Sequence, residues 1–152
     1  MQIDNFDRKL LTLLQDDARL TNAELSERIH LSPSQCSRRR QRLEEQGIIR
    51  GYRADLDHEK LNLGIVTIIT VQLATHNRDN ARRFARLIAG LQQVLEAHAL
   101  TGEMDYMIKV VAPDLKSLSG FLNDVLLPHE SVQHVKSAIV LETLKEDGRL
   151  PV

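Results

Sequence analysis

The sequence predicts an α+β chain in two parts: an N-terminal winged helix-turn-helix and a C-terminal ferredoxin-like βαββαβ domain. Three observations predict it. Three short segments with helical apolar spacing precede Gly47, and the second and third open on capping signatures. Beyond Leu63, β-branched runs alternate with amphipathic helical ones. At 152 residues the chain holds two small domains, each marginal alone, so oligomerisation is expected. The expected boundaries are 1–57 for the helix-turn-helix, 58–63 for a polar linker and 64–152 for the second domain.

Ile3, Phe6, Leu10, Leu13 and Leu14 recur at helical spacing, which predicts a first helix over Asp7 to Leu14 with Asp4 and Asp7 near its positive end. Thr21 with Glu24 three residues later starts a second helix that ends near His30. Ser32-Pro33-Ser34-Gln35 starts the third: Ser32 caps it, Pro33 fits its first turn, and Gln35 closes a capping box. That helix runs to Gln46 and stops at Gly47, with Cys36 and Leu43 inward. Ile48 to Leu56 shows partial alternation and reads as a short hairpin or wing.

In the second half, strands are expected at Ile65 to Leu73, Val94 to Leu100, Tyr106 to Ala112 and Val132 to Glu142. Helices are expected at Asn80 to Ala89, with Ala81, Phe84, Ala85 and Ile88 inward, and at Leu115 to Leu126, with Leu115, Leu118, Leu122 and Val125 inward. Gly102-Glu103 reads as a turn, and Pro128 bars continuation of the last helix. The order β-α-β-β-α-β is the ferredoxin-like pattern.

Charge and composition narrow the function. The formal net charge is −1, and neither half is a basic tail. The concentrated positive feature is Arg38, Arg39, Arg40 and Arg42 on the third helix. Cys36 is the single cysteine, so no intramolecular disulfide forms, which fits a reducing, cytoplasmic compartment. The longest apolar stretch, Leu63 to Leu73, is too short and too interrupted to span a bilayer. His30, His58, His76, His98, His129 and His134 are scattered, although His98 and His134 are candidates for cross-strand neighbours. Without a metal motif, a phosphate loop or a nucleophile elbow, neither an enzyme nor a cofactor is expected.

In a helix-turn-helix the third helix enters the major groove and its N-terminal residues meet base edges. The polar face here begins with Ser34, Gln35, Ser37 and Arg38, able to bond bases or phosphates of double-stranded DNA, and continues through Arg39, Gln41 and Arg42. Arg39 and Arg42, with Arg50 and Arg53 beyond the helix, are candidates for phosphates. The alternative is a three-helix interaction domain with solvated arginines.

The run from Leu20 to Ser34, its continuation from Arg42 to Tyr52, the opening Asp4-Asn5-Phe6-Asp7, and Thr101-Gly102-Glu103-Met104-Asp105-Tyr106 resemble the Lrp/AsnC family of leucine- and asparagine-responsive regulators. The resemblance covers almost the whole chain. It implies a DNA-binding transcription regulator that forms homodimers through its C-terminal sheets, often joined into octamers. Such proteins respond to amino acids bound between dimers and control amino-acid metabolism. It further implies that Gly102 and Asp105 lie at effector-response positions flanked by Glu103, Met104 and Tyr106, with Ala138 and Ile139 in a second effector-linked segment. Gly102 permits close backbone approach, and an Asp105 carboxylate is suited to an α-ammonium group. A turn carboxylate or an intersubunit ion pair is the alternative for Asp105. Two positions depart from the family: Arg40 stands where an aliphatic residue is usual, and Met104 where an aromatic one is common. The runner-up is an amino-acid-binding sensor or assembly protein with little DNA-binding role.

Overall fold

The computed structural model describes residues 3–75, 77–146 and 148–152; His76 lies outside the described residues. By contacts the chain divides into two units, residues 1–55 with 145–152, and residues 56–144.

The first unit is built on three capped helices. Helix α1 (Asn5–Asp16) opens on Asp4, whose carboxylate accepts the Asp7 N–H while Asp7 accepts the Asp4 N–H. Helix α2 (Asn22–Ile29) and helix α3 (Pro33–Glu45) open on the Thr21–Glu24 and Ser32–Gln35 boxes read from the sequence. Each box satisfies two backbone donors that helix geometry leaves without partners. His30, in the left-handed region at φ 57°, ends α2. Gly47, at φ 68°, follows α3, where a Cβ would be strained. Leu10, Leu14, Leu25, Ile29, Cys36 and Leu43 form the core, and Leu31 packs onto it from the turn between α2 and α3.

The segment Ile48 to Leu56 forms no strand, so the expected hairpin is absent. The N–H groups of Ile48 and Ile49 both donate to the Leu43 carbonyl, finishing α3 instead of entering a ladder. Residues 145–152, expected in the second domain, pack with the first unit, where Gln15 and Asp16 of α1 bind Leu150 and Arg149.

The second unit is a four-stranded antiparallel sheet: β1 (Ile65–Leu73), β2 (Val94–Ala99), β3 (Tyr106–Ala112) and β4 (Val132–Ile139), in spatial order β2-β3-β1-β4. Helix α4 (Arg78–Ala89) and helix α5 (Leu115–Gly120) supply the covering helices. Ile69, Val71, Leu73, Ile108 and Val110 point into a core shared with Phe84, Ile88, Phe121 and Leu126. Alternate residues, among them Ile68 and Thr70 of β1 and Met107 and Lys109 of β3, lie on the opposite sheet face.

Two inward assignments change. Ala85 of α4 is exposed. Leu115 is 60% exposed, and the buried positions of the last helical segment are Leu118, Phe121 and Leu126. The cause is a π-helical turn over Phe121–Leu126, in which the Leu127 N–H reaches the Leu122 carbonyl five residues back. The wider turn brings Phe121 and Leu126, five apart, onto one face. Strand β4 ends three residues earlier than expected. His98 and His134 are not neighbours: β2 and β4 are the two edges of the sheet, with β3 and β1 between them.

Candidate nucleic-acid interface and effector site

On α3, Ser34, Gln35, Ser37, Arg38, Gln41 and Arg42 are exposed, while Arg39 and Arg40 are half-buried. The helix places them by burying Cys36 and Leu43, which turns the intervening positions outward. Burial pushes the Cys36 thiol pKa up, which suits a core residue rather than a nucleophile.

The cap engages Gln35 through Oε1, which accepts from the Ser32 N–H at 3.0 Å and the Ser32 hydroxyl at 3.1 Å. Ser34 Oγ lies 3.0 Å from Ser32 Oγ. Gln41 donates to Glu45 at 2.9 Å. Arg38 makes no ion pair among the described residues.

The neighbouring arginines are tied inward. Asp7 on α1 is 1% exposed and accepts from Arg39 Nη1 at 2.8 Å and Arg42 Nη2 at 2.6 Å. Arg39 also donates to Asp4 at 2.7 Å and lies over the Phe6 ring at 5.4 Å. Donation by the Asp7 N–H, then by Arg39, holds the Asp4 carboxyl below its ordinary pKa. Asp7 therefore joins the first helix to the third, and two arginines selected as phosphate candidates carry an internal partner. Nothing in the local spacing identifies this, because Asp7 stands 32 and 35 positions from the two arginines.

Arg40 resolves differently from an apolar stem merely reaching for water. Its Nε donates to Glu44 at 3.2 Å and to the Tyr52 hydroxyl at 2.9 Å, and its Nη1 donates to the Leu20 carbonyl at 3.2 Å. The guanidinium also lies 4.7 Å from the Tyr52 ring centre, a cation–π arrangement. Tyr52 donates to Glu44 at 2.7 Å, and burial, then that bond, pushes its pKa up.

In the second unit, Gly102 sits at φ 118° in the turn between β2 and β3, in a region that side chains rarely adopt. Gly102 and Glu103 are exposed; Met104, Asp105 and Tyr106 are half-buried. Asp105 Oδ2 accepts the Leu73 N–H at 2.7 Å, and its own N–H donates to the Val71 carbonyl at 3.0 Å, so this residue pins the turn to the end of β1. Tyr106 faces the core, its ring centre 4.8 Å from that of Phe84. Ala138 pairs with Ile68 and Ile139 with Thr67, which puts these two side chains on opposite faces of β4. Ile68 and Leu73 are about 16 Å apart at the usual strand rise. Within one chain, the turn and the Ala138–Ile139 segment therefore belong to different ends of the sheet.

A three-helix unit with a polar third helix, followed by a ferredoxin-like sheet with a glycine-bearing turn, defines a class: two-domain DNA-binding transcription regulators that respond to a small ligand. Two family models divide the chain accordingly. Residues 3–50 match a winged helix-turn-helix DNA-binding model, and residues 66–150 match the Lrp/AsnC ligand-binding domain. The chain is 35% identical to the transcriptional regulator AzlB of Bacillus subtilis, over 100% of this chain and 97% of that one. It is 33% identical to the leucine-responsive regulatory protein of Escherichia coli, over 99% and 92%. Among solved structures, a Neisseria meningitidis transcriptional regulator in complex with L-methionine superposes with a TM-score of 0.95 at 42% identity, covering 99% of this chain and 97% of that one. Escherichia coli AsnC superposes with a TM-score of 0.88 at 29% identity, over 96% and 97%. The chain belongs to the Lrp/AsnC family of transcription regulators. It is a DNA-binding, amino-acid-responsive regulator and not an enzyme. Among the described residues, no helix is long and apolar enough to cross a membrane.

Proposed function

We propose that the protein binds double-stranded operator DNA as a homodimer, with α3 of each copy in the major groove, and that an apolar amino acid shifts its assembly or DNA affinity. The observation that carries the first part is the exposed face of Ser34, Ser37 and Arg38 at the start of a capped helix. Arg38, without an internal partner, is the residue assigned to a base edge; Arg42, at 45% exposure, is assigned to a phosphate shared with Asp7. The sheet face carrying Ile68, Thr70 and Met107 is the surface assigned to dimerisation, and octamers are the assembly proposed for the dimers.

The effector site is assigned to Gly102–Tyr106 of one copy and the Ala138–Ile139 segment of another. The separation of these segments within one chain supports a pocket that needs a second subunit. Met104, Ala138 and Ile139 are apolar or small, so a charged side chain would lose hydration there without compensation. L-methionine is the first candidate, since the 42%-identical Neisseria regulator was crystallised with it. Asp105 is assigned to the ammonium group in addition to its bond to Leu73. The genes under control are proposed to be those of amino-acid metabolism.

Calorimetric titration of the twenty amino acids, followed by operator gel shifts with and without those that bind, tests this reading. Binding of methionine or another apolar amino acid, weakened in Asp105→Asn, is expected. Unchanged affinity in Asp105→Asn removes the ammonium assignment, and no binding at millimolar concentration removes the amino-acid effector. One observation favours a sensor or assembly protein with little DNA-binding role: Asp7 already neutralises part of the cationic face of α3. That reading predicts amino-acid binding but no operator gel shift at any salt concentration.

A further inference from the structure

The last residues of the chain do not hang free; they bind the first helix. Gln15, in the last turn of α1, closes a two-bond ring with the backbone of Leu150: its Nε2 donates to the Leu150 carbonyl at 3.2 Å, and its Oε1 accepts the Leu150 N–H at 2.6 Å. The neighbouring Asp16 pairs with Arg149. Leu150 and Val152 lie along a groove of about 640 Å³ with Leu11, Leu14, Ala18 and Ile48. Leu150 stays 70% exposed, so the attachment is made chiefly by the paired amide and the ion pair rather than by burial.

The chain therefore passes between the two units twice, at Asp55–Leu56 and at Leu144–Lys145. A reading unit on one flexible link samples every orientation its linker allows. A second attachment, about ten residues beyond the end of β4, removes much of that freedom, because ten residues reach at most about 36 Å. For a dimer reading two half-sites, this restriction raises the effective concentration of the second reading unit at its site once the first has bound.

We propose that Gln15 and the segment Arg149–Val152 form a strap that positions the reading unit, and that it serves the simultaneous binding of paired half-sites. Gln15 is a positioning residue: it lies on α1, outside the exposed face of α3 assigned to DNA. The strap also continues directly from β4, so a change in that strand has a covalent route to α1 in addition to the linker after Asp55. The proposal rests on the dimeric DNA-binding reading above, and the test separates the two.

Three full-length proteins are compared: wild type, Gln15→Ala, and a chain lacking residues 148–152. Amide exchange first reports the attachment: the Leu150 N–H is protected in wild type and exchanges faster in Gln15→Ala. Gel shifts then compare DNA carrying one half-site with DNA carrying two. Affinity for one half-site is expected to stay at the wild-type level in all three. Affinity for paired half-sites is expected to fall on the order of tenfold in the shortened chain and by less in Gln15→Ala. Gln15→Ala introduced into the shortened chain is expected to add nothing, since its partner is already gone. A paired-to-single ratio equal to wild type in the shortened chain overturns the strap, as does an unprotected Leu150 N–H in wild type. A wild-type protein that prefers neither paired sites nor any operator fails the dimeric DNA-binding reading instead.

Discussion

Replacing Asp7 by Ala tests the most heavily buried charged group that the structure uses. The carboxylate is 1% exposed, and it accepts from Arg39, from Arg42 and from the Asp4 N–H. Hydrogen bonds to charged groups contribute about 1.5–3 kcal/mol each, and deleting one partner of a fully buried pair costs about 3–5 kcal/mol. Both figures need lowering here. Arg42 is 45% exposed, so water screens that pair to about 1 kcal/mol or less. Arg39 is 22% exposed and retains Asp4. The expected loss is about 2–3 kcal/mol for Asp7→Ala. Asp7→Asn should lose about half as much, because its oxygen still accepts one guanidinium bond. For a unit of this size, each kcal/mol moves the midpoint by about 4–8 °C, so Asp7→Ala should lower the Tm of the first unit by roughly 10–20 °C. Thermal unfolding followed by circular dichroism at 222 nm reads this. A second consequence has the opposite sign. Asp7→Asn releases two guanidinium groups, so random-DNA affinity should rise, with its salt dependence steepened by about 0.9 in log–log slope for each new phosphate contact. A Tm within 2 °C of wild type for Asp7→Ala would refute the internal anchor and leave Arg39 and Arg42 as ordinary surface cations.

Arg38→Ala should weaken operator binding by about 1–3 kcal/mol with little change on random DNA, whereas Arg42→Ala should weaken both alike; titrations at fixed salt separate the two, and an Arg38 variant that discriminates as wild type does removes the base contact. Thr67 is fully buried and its Oγ1 finds no partner among the described residues, so Thr67→Val should raise stability by about 1 kcal/mol in guanidinium titration; a loss of stability would mean that the hydroxyl is satisfied. Acid should destabilise the fold through its cap carboxylates. Asp4 is held below its ordinary 3.8 by the Asp7 N–H and Arg39, and Glu24 below 4.5 by the Thr21 N–H and hydroxyl. A depressed folded-state pKa gives a stability contribution that is complete above the ordinary value and lost as pH falls through the depressed one. Unfolding midpoints should therefore drop below about pH 4, and a denaturation curve flat from pH 5 to pH 2 would contradict this.

The three capped helices were legible because their signals are local. Ser32-Pro33-Ser34-Gln35 and Thr21 with Glu24 place oxygen acceptors within three residues of the donors they satisfy. Strands β1 and β3 were legible because buried strands are rich in β-branched and aliphatic residues, and their order follows from chain connectivity. The exposed positions Ser34, Ser37 and Arg38 follow from helical periodicity about Cys36 and Leu43, and the effector turn from the run Thr101 to Tyr106. Tertiary structure decided the rest, because the deciding contacts join residues far apart in the chain. A guanidinium on α3 has no sequence-local sign that Asp7 will neutralise it. Asp105 could be read as a carboxylate awaiting a ligand, but only the turn's return to β1 shows it holding the Leu73 N–H. The π-helical turn that moves Phe121 and Leu126 inward costs backbone regularity and is set by the core it fills, so a 3.6-residue period misplaced Leu115. His98 and His134 were separated by strand order, and the terminal Leu150 was attached to α1 by a single glutamine whose partner is a backbone that any residue would supply.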